Sequence, residues 1–349
     1  METENEMRKF EGYQRGVNLG GWLSQADETT KAHYDTFITE ADIAQIAAMG
    51  LDHVRIPVDY TMIESEDGQP LEEGYQYIDK AVHWCQAHGL HVLIDMHNTY
   101  GYTFDPLAKG ADREIFFRNT SLQKRFYAMW DRISSCYGNC PNTAFELLNE
   151  VISPAIAEEW NCIADRTVDI IRKNAPQAWI VIGGVRYNNV TSVPMLHKPK
   201  DDHIVYNFHC YEPLMFTHQR AYWVENMPDL TIHYPEKVSK YRELSNGLSD
   251  NLVGAVNEMD GDVEGPALFE TLFAPAVEAA ERNGAPLYCG EYGVIDQAPS
   301  EDALRWIIDI HSVFEKYGIG RSLWNYKEKD FGLMDSHYED VRSELVKYL

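Results

Sequence analysis

The sequence predicts an α/β protein folded as a single (β/α)8 TIM barrel, and three observations predict it. Eight short, β-rich runs recur along the chain. Each is apolar on both faces, as parallel strands covered by helices are. Longer amphipathic runs separate them, and this alternation across 349 residues has the cadence of that barrel. A doubly wound open sheet is the alternative. It usually carries a Gly-rich phosphate loop after its first strand, and NLGG at residues 18–21 lacks the G-x-G-x-x-G spacing.

Strands are expected at residues 13–19, 53–58, 90–97, 144–150, 179–183, 204–209, 287–293 and 319–326. The first helix, 39–49, opens on Thr39 as N-cap and closes at Gly50. Residues 75–88 stop at Gly89 and 121–137 at Gly138. Residues 155–174 stop before Pro176, 266–283 at Gly284, and 300–317 at Gly318. A helix after Gly184 is weakly marked, and 339–349 reads as the closing helix. No linker, low-complexity tract or shift in composition divides the chain, so residues 1–349 read as one domain. Residues 211–265 form a long insertion between the sixth strand and its helix. It is too long for an ordinary connection and carries Tyr211, Phe216, Tyr222, Trp223, Tyr234 and Tyr241, which points to a functional role.

Apolar residues at 44% and charged residues at 24% suit a globular protein with an ample core. Thirty basic and 55 acidic side chains give a net charge of −25. That field opposes nucleic acid and anionic membranes, so neither is an expected partner, whereas a neutral ligand is indifferent to it. METENEMRKF at the N-terminus has no apolar stretch of the kind a signal peptide needs. No run approaches the roughly eighteen apolar residues of a membrane span. A cytoplasmic location is expected, or a secreted one if a leader has been removed. The six cysteines are scattered, with Cys136 and Cys140 as the one close pair, and read as free thiols.

In such a barrel, active groups collect at the C-terminal strand ends. Strand two offers Arg55, strand three His97, strand four Asn149 and Glu150. Strand six offers His209 and Tyr211, strand seven Glu291 and Tyr292, strand eight Trp324. One polar strand end reads as a satisfied structural group; six at one pole point to a site. Glu150 closes the apolar run FELLNEV, where an unpartnered charge is costly. Facing each other across the mouth, Glu150 and Glu291 suit acetal hydrolysis. One carboxyl protonates the leaving oxygen while the other meets the developing oxocarbenium ion. A gap of roughly 5–5.5 Å gives retention of configuration, and a wider one admits water and gives inversion. Strict alternation would turn Asn149 and Glu150 to opposite faces, so the strand must bulge or end there. Glu150 is expected to stay protonated at neutral pH through its apolar surroundings and the charge of Glu291. His97 with Asp95, and His83, His88 and His91, raise a metal site. However, His83 and His88 are five apart on a helix, and the first strand lacks an H-x-H pair. No metal and no cofactor is expected. Met129 and Trp130 read as core, and Trp22 as either packing or cleft.

Seven segments in order, RGVNLGGWL (15–23), VRIP (54–57), IDMHN (94–98), ELLNE (146–150), FHCY (208–211), CGEYG (289–293) and SLWNY (322–326), resemble glycoside hydrolase family 5. The resemblance spans nearly the whole chain and implies a retaining β-glycosidase. It implies Glu150 as acid/base, Glu291 as nucleophile and Arg55 as the group holding Glu291 ionised. It further implies Asn149 on the sugar 2-hydroxyl, His97 and His209 lining the glycone subsite, Tyr211 donating to the nucleophile, and Trp324 as sugar platform. Val151 stands where the family usually has proline, with Pro154 three residues on, so the loop is expected to shift while the acid stays. The implied substrate is β-glucan or cello-oligosaccharide, cut as by an endo-β-1,4-glucanase. The alternatives are an exo-β-1,3-glucanase or β-glucosidase, then mannan- or xyloglucan-active members. A non-catalytic sugar-binding relative is disfavoured, because binding alone has no need of the acid pair.

Overall fold

A computed structural model describes residues 7–108 and 114–349; residues 1–6 of the N-terminal stretch read above lie outside them. The eight strands are β1 (Arg15–Asn18), β2 (His53–Asp59), β3 (His91–Asn98), β4 (Thr143–Glu146), β5 (Ile180–Gly183), β6 (Ile204–Cys210), β7 (Leu287–Tyr292) and β8 (Gly320–Leu323). They pair in sequence order, all parallel, and β8 returns to β1 to close a barrel. Alternation along each strand sorts the side chains. Leu93, Ala144, Val181, Val205 and Tyr288 pack inside with Tyr13 and Phe10, which stack with ring centroids 4.1 Å apart below β1. Their neighbours, such as Val92, Ile94, Phe145, Ile180, Tyr206 and Cys289, belong to the larger core between sheet and helices. Two residues above the inner apolar layer the inward positions turn polar. Arg55, Asp95, Glu146 and Asn207 are all fully buried there.

Most helices fall where the apolar spacing puts them. Pro266–Asn283 and Ser300–Tyr317 match at both ends, each closed by a glycine in the left-handed region, Gly284 (φ 69°) and Gly318 (φ 65°). The helix expected from residue 75 starts earlier, at Glu72, where Glu72 and Glu73 complement the helix dipole in the first turn. The weakly marked segment after Gly184 is a 3-10 turn, Val190–Met195, containing Pro194 and preceded by three left-handed residues, Arg186, Tyr187 and Asn188. The expected closing helix shrinks to Arg342–Leu345 behind a 3-10 turn, Ser336–Tyr338.

Two strands end three or more residues sooner than expected. β8 stops at Leu323, and the chain turns at Trp324. β4 stops at Glu146, four residues before Glu150. Leu147 N still bonds to Val181 O at 3.1 Å and Asn149 N to Met96 O at 3.0 Å, but the regular ladder has finished. Asn149 and Glu150 are thereby released from strict alternation. Trp22 is core: it is fully buried and its indole donates to Tyr34 O at 2.9 Å. Met129 and Trp130 are buried as expected, and the Trp130 indole donates to Leu147 O at 3.1 Å just past β4. The six cysteines are free. Among the described residues no helix is long and apolar enough to cross a membrane.

Candidate active site

Arg55, at mid-height on β2, organises the barrel mouth. Its guanidinium is fully buried and every edge of it is used. Nε and Nη2 donate to the two carboxylate oxygens of Glu146 at 2.6 and 2.9 Å, a bidentate pair. Nη2 also meets Asp95 Oδ2 at 3.0 Å and Asn149 Oδ1 at 2.8 Å. Nη1 donates to Asn18 Oδ1 at 2.9 Å and to Glu291 Oε1 at 2.7 Å. Three acids around one cation leave surplus negative charge in a dry place. Burial therefore pushes both Asp95 and Glu146 up to about 7, against the pull of Arg55.

A methionine at residue 55 would strand those acids. Arg55→Met is expected to lose about 3–5 kcal/mol of stability, read from urea unfolding. The sign of its pH dependence follows from the raised carboxyls. Folding takes up protons, so stability falls as pH climbs from about 4 through about 7. Without Arg55 that fall extends to higher pH, so the deficit is largest in alkaline solution.

Glu291 reaches the mouth through an irregularity. The β6–β7 register shifts after Phe208 and Cys289, so that His209 pairs with Glu291 instead of Gly290. Gly290 fits there because a Cβ would lie 2.8 Å from Asn207 Oδ1, which accepts from Gly290 N at 2.9 Å. Glu291 then has a donor on each oxygen, Arg55 on Oε1 and the Tyr211 hydroxyl on Oε2 at 2.9 Å. Tyr292, at the same strand end, points into the helix layer and bonds His311 Nε2 at 2.8 Å, so it takes no part in the site.

Glu150 sits opposite. Its Oε1 lies 2.8 Å from His209 Nδ1, and the same nitrogen is 3.7 Å from Glu291 Oε2. The Tyr102 hydroxyl donates to the Glu150 carbonyl and fixes its backbone. A carboxylate oxygen of Glu150, one of Glu291 and a His209 ring nitrogen lie within 4.8 Å of one another. Burial raises both carboxyls of this pair. Glu150 is raised further by the charge of Glu291, whereas Arg55 and the Tyr211 hydroxyl work to hold Glu291 ionised. Burial holds His209 well below its ordinary range, so it is neutral. Among the described residues, these three groups are also a set able to hold a cation. Of the residues weighed for a metal in the sequence, His97 Nδ1 bonds Asp95 Oδ2 at 2.6 Å, but among the described residues they form no cluster with His83, His88 or His91.

His97 and Trp324 form one wall. Their rings are parallel, 2° apart, with centroids separated by 5.9 Å. Gly20 makes room for the indole, since a Cβ there would lie 2.5 Å from the ring. Burial lowers His97 to about 4, which keeps it neutral. Among the buried polar atoms without a protein partner are Asn149 Nδ2 and His209 Nε2, as well as Asp95 Oδ1. Of the nine strand-end residues singled out in the sequence, Arg55, His97, Asn149, Glu150, His209, Tyr211, Glu291 and Trp324 meet at the mouth, and Tyr292 does not. Asp95, Glu146, Asn207 and Asn18 join this network beyond the residues the sequence points to. A signal for them was present: polar residues two apart on otherwise apolar strands, as in His53-Val-Arg55, Asp95-Met-His97 and Asn207-Phe-His209.

Residues 11–330 match the sequence model of the cellulase family, glycosyl hydrolase family 5. The chain belongs to that family. It is 43% identical over 316 residues to cellodextrinase A of Ruminococcus flavefaciens, covering 90% of this chain and 86% of that one. It is 39% identical over 343 residues to endoglucanase C of Acetivibrio thermocellus, covering 97% and 98%. Among solved structures, endoglucanase Cel5A of Thermotoga maritima shares the fold with a TM-score of 0.74 at 23% identity, covering 96% of each chain. As a family 5 glycoside hydrolase, the chain departs from the usual pattern at Val151. That side chain is buried and its carbonyl accepts from Tyr187 N at 3.0 Å. Pro154 opens a 3-10 turn capped by Ser153, and Glu150 stays at the mouth.

Proposed function

We propose that this protein hydrolyses β-1,4-linked glucans and cello-oligosaccharides by double displacement, with Glu291 as nucleophile and Glu150 as acid/base. The carrying observation is the carboxylate pair. Its oxygens approach within 4.8 Å, which leaves no room for a water between Glu291 and the sugar and favours retention. Opposite hydrogen bonding divides the roles. Glu291, held by Arg55 and Tyr211, is the ionised partner, and Glu150 keeps the proton. With its proton on Nδ1, neutral His209 donates to Glu150 Oε1 and leaves the acid proton on Oε2, free for the glycosidic oxygen.

In the first step Glu291 attacks the anomeric carbon while Glu150 protonates the departing oxygen. In the second, Glu150, now ionised, takes a proton from water, which attacks the same carbon and frees Glu291. Asn149 Nδ2, its partner oxygen locked by Arg55, is a spare donor for the sugar 2-hydroxyl. The Trp324 face accepts the apolar side of the pyranose.

The β-1,4 assignment is supported by the two relatives at 39–43% identity, named for cellodextrin and endoglucanase activity. An open cleft and endo action are supported by the packing of the insertion. Beyond Tyr211 its bonds hold it to the β5 loop and to the helix after β7: Arg186 to Glu258 at 3.4 Å, Tyr234 to Asp309 and His233 to Asp302 at 2.8 and 2.7 Å. Cellopentaose and laminaripentaose digests test both points. Cellobiose and cellotriose as first products from cellopentaose are expected; glucose released one unit at a time, or preference for laminaripentaose, would overturn the reading.

Tyr211→Phe supplies a pH test. The hydroxyl stabilises the ionised form of Glu291, so its loss raises that carboxyl. The acid limb of the kcat/KM profile is expected to move to higher pH, with the alkaline limb unmoved.

A further inference from the structure

Glu291 follows a glycine that the sheet leaves out. The registers of β7 with β6 and with β8 both skip Gly290. On one side Phe208 pairs with Cys289 and His209 with Glu291, and on the other the pairing shifts between Cys289 and Tyr292. A skipped peptide in a buried strand needs other partners for its N–H and C=O, because a buried backbone group left unpaired is costly. Two fully buried asparagines provide them. Asn207 Oδ1, on β6, accepts from Gly290 N at 2.9 Å, and Asn18 Nδ2, on β1, donates to Gly290 O at 3.0 Å.

Each carboxamide is anchored at its other end to the cluster around Arg55. Asn207 Nδ2 donates to Glu146 Oε1 at 2.9 Å, the oxygen that also accepts from Arg55 Nη2 at 2.9 Å. Asn18 Oδ1 accepts from Arg55 Nη1 at 2.9 Å, the nitrogen that also donates to Glu291 Oε1 at 2.7 Å. Two closed loops result, each running from Arg55 by way of an asparagine to Gly290 and back through the Glu291 side chain. Asn18 Nδ2 also donates to Ser322 O at 3.0 Å, which ties its loop to β8. Only an amide suits either place. At position 207 a carboxylate would set an oxygen against Glu146, and at position 18 it would set one against two carbonyls.

We propose that Asn18 and Asn207 are positioning residues, which clamp the Gly290 peptide and so set the placement of Glu291 against the anomeric carbon. They act through the backbone that carries the nucleophile and through Arg55, without touching the sugar. An asparagine kept only for the fold has no reason to choose that peptide, yet the two converge on it from β6 and from β1. Misplacing a reacting group by about 1 Å costs on the order of 10²-fold in rate, so a peptide free to relax by part of that distance is expensive. The inference rests on the reading of Glu291 as nucleophile.

The test follows release of dinitrophenolate from a dinitrophenyl 2-deoxy-2-fluoro-cellobioside across pH. Its amplitude counts enzyme able to form the glycosyl bond, and its rate constant reads how well Glu291 is placed. Asn207→Ala and Asn18→Ala are each expected to release one equivalent per folded enzyme, about tenfold or more slowly than the parent. The acid limb of that rate constant is expected at higher pH, because Glu291 loosened from Arg55 loses the contact that holds it ionised. If an alanine variant does not fold, Asn207→Ser or Asn18→Ser, leaving a hydroxyl and room for a water, carries the same comparison. A rate constant equal to the parent's, whatever the amplitude, or an acid limb left in place would overturn the clamp, since a merely structural pair moves neither. A parent that releases no dinitrophenolate, or is labelled elsewhere than on Glu291, overturns the nucleophile reading itself and the clamp with it.

Discussion

Glu291→Ala is expected to lose roughly 10⁴-fold or more in kcat, the scale found when a covalent nucleophile is removed. The fold should survive, because the site then carries one buried charge fewer around Arg55, which keeps Glu146 and Asp95. The truncated side chain leaves space beside the anomeric carbon. Azide can enter it and attack directly, while Glu150 still protonates the leaving oxygen. Turnover of an activated cellobioside should therefore return with added azide, giving a glycosyl azide of inverted, α configuration. Proton NMR of the product reads the outcome. A β-azide, or no rescue in a folded variant, would move the nucleophile elsewhere.

Glu150→Gln is the second large effect, and its signature is selectivity. An amide cannot give a proton to the glycosidic oxygen, so ordinary cello-oligosaccharides should lose roughly 10³-fold or more. Dinitrophenyl cellobioside needs no protonation to depart, and its first step should be nearly unaffected. The alkaline limb of the pH profile should vanish as well. Burial and the neighbouring Glu291 raise the Glu150 carboxyl, so activity in the parent falls as pH climbs through that raised value. Glutamine has nothing to lose there. Equal losses on both substrate types, with the alkaline limb intact, would remove Glu150 from the acid role.

The chain itself announces much of this fold. Strands buried on both faces, with glycine-terminated amphipathic runs between them, specify a closed parallel sheet almost without reference to which residues fill it. The site was readable for a related reason. Polar groups at strand ends have few structural uses, and Glu150, His209 and Glu291 each interrupt an apolar run. What escaped notice depends on depth within the barrel. The sequence marks Glu146 as strand, but only closure of the sheet carries Arg55 across to it from β2, 91 positions away. The register shift that sets Glu291 beside His209 has no mark in CGEYG apart from Gly290. The early end of β4 is a competition between ladder pairing and the Met96 carbonyl, which no single segment encodes.

In the proposed mechanism Glu150 and Glu291 flank one anomeric carbon, the first giving a proton and the second forming a bond. A 2-deoxy-2-fluoro-cellobioside with a dinitrophenolate leaving group tests it most directly, because the fluorine slows release of the glycosyl enzyme more than its formation. Mass spectrometry of the peptic digest should find one fluorocellobiosyl group, carried on Glu291. A label on any other residue, or an unlabelled enzyme whose first product from cello-oligosaccharide is the inverted α-anomer, would contradict it.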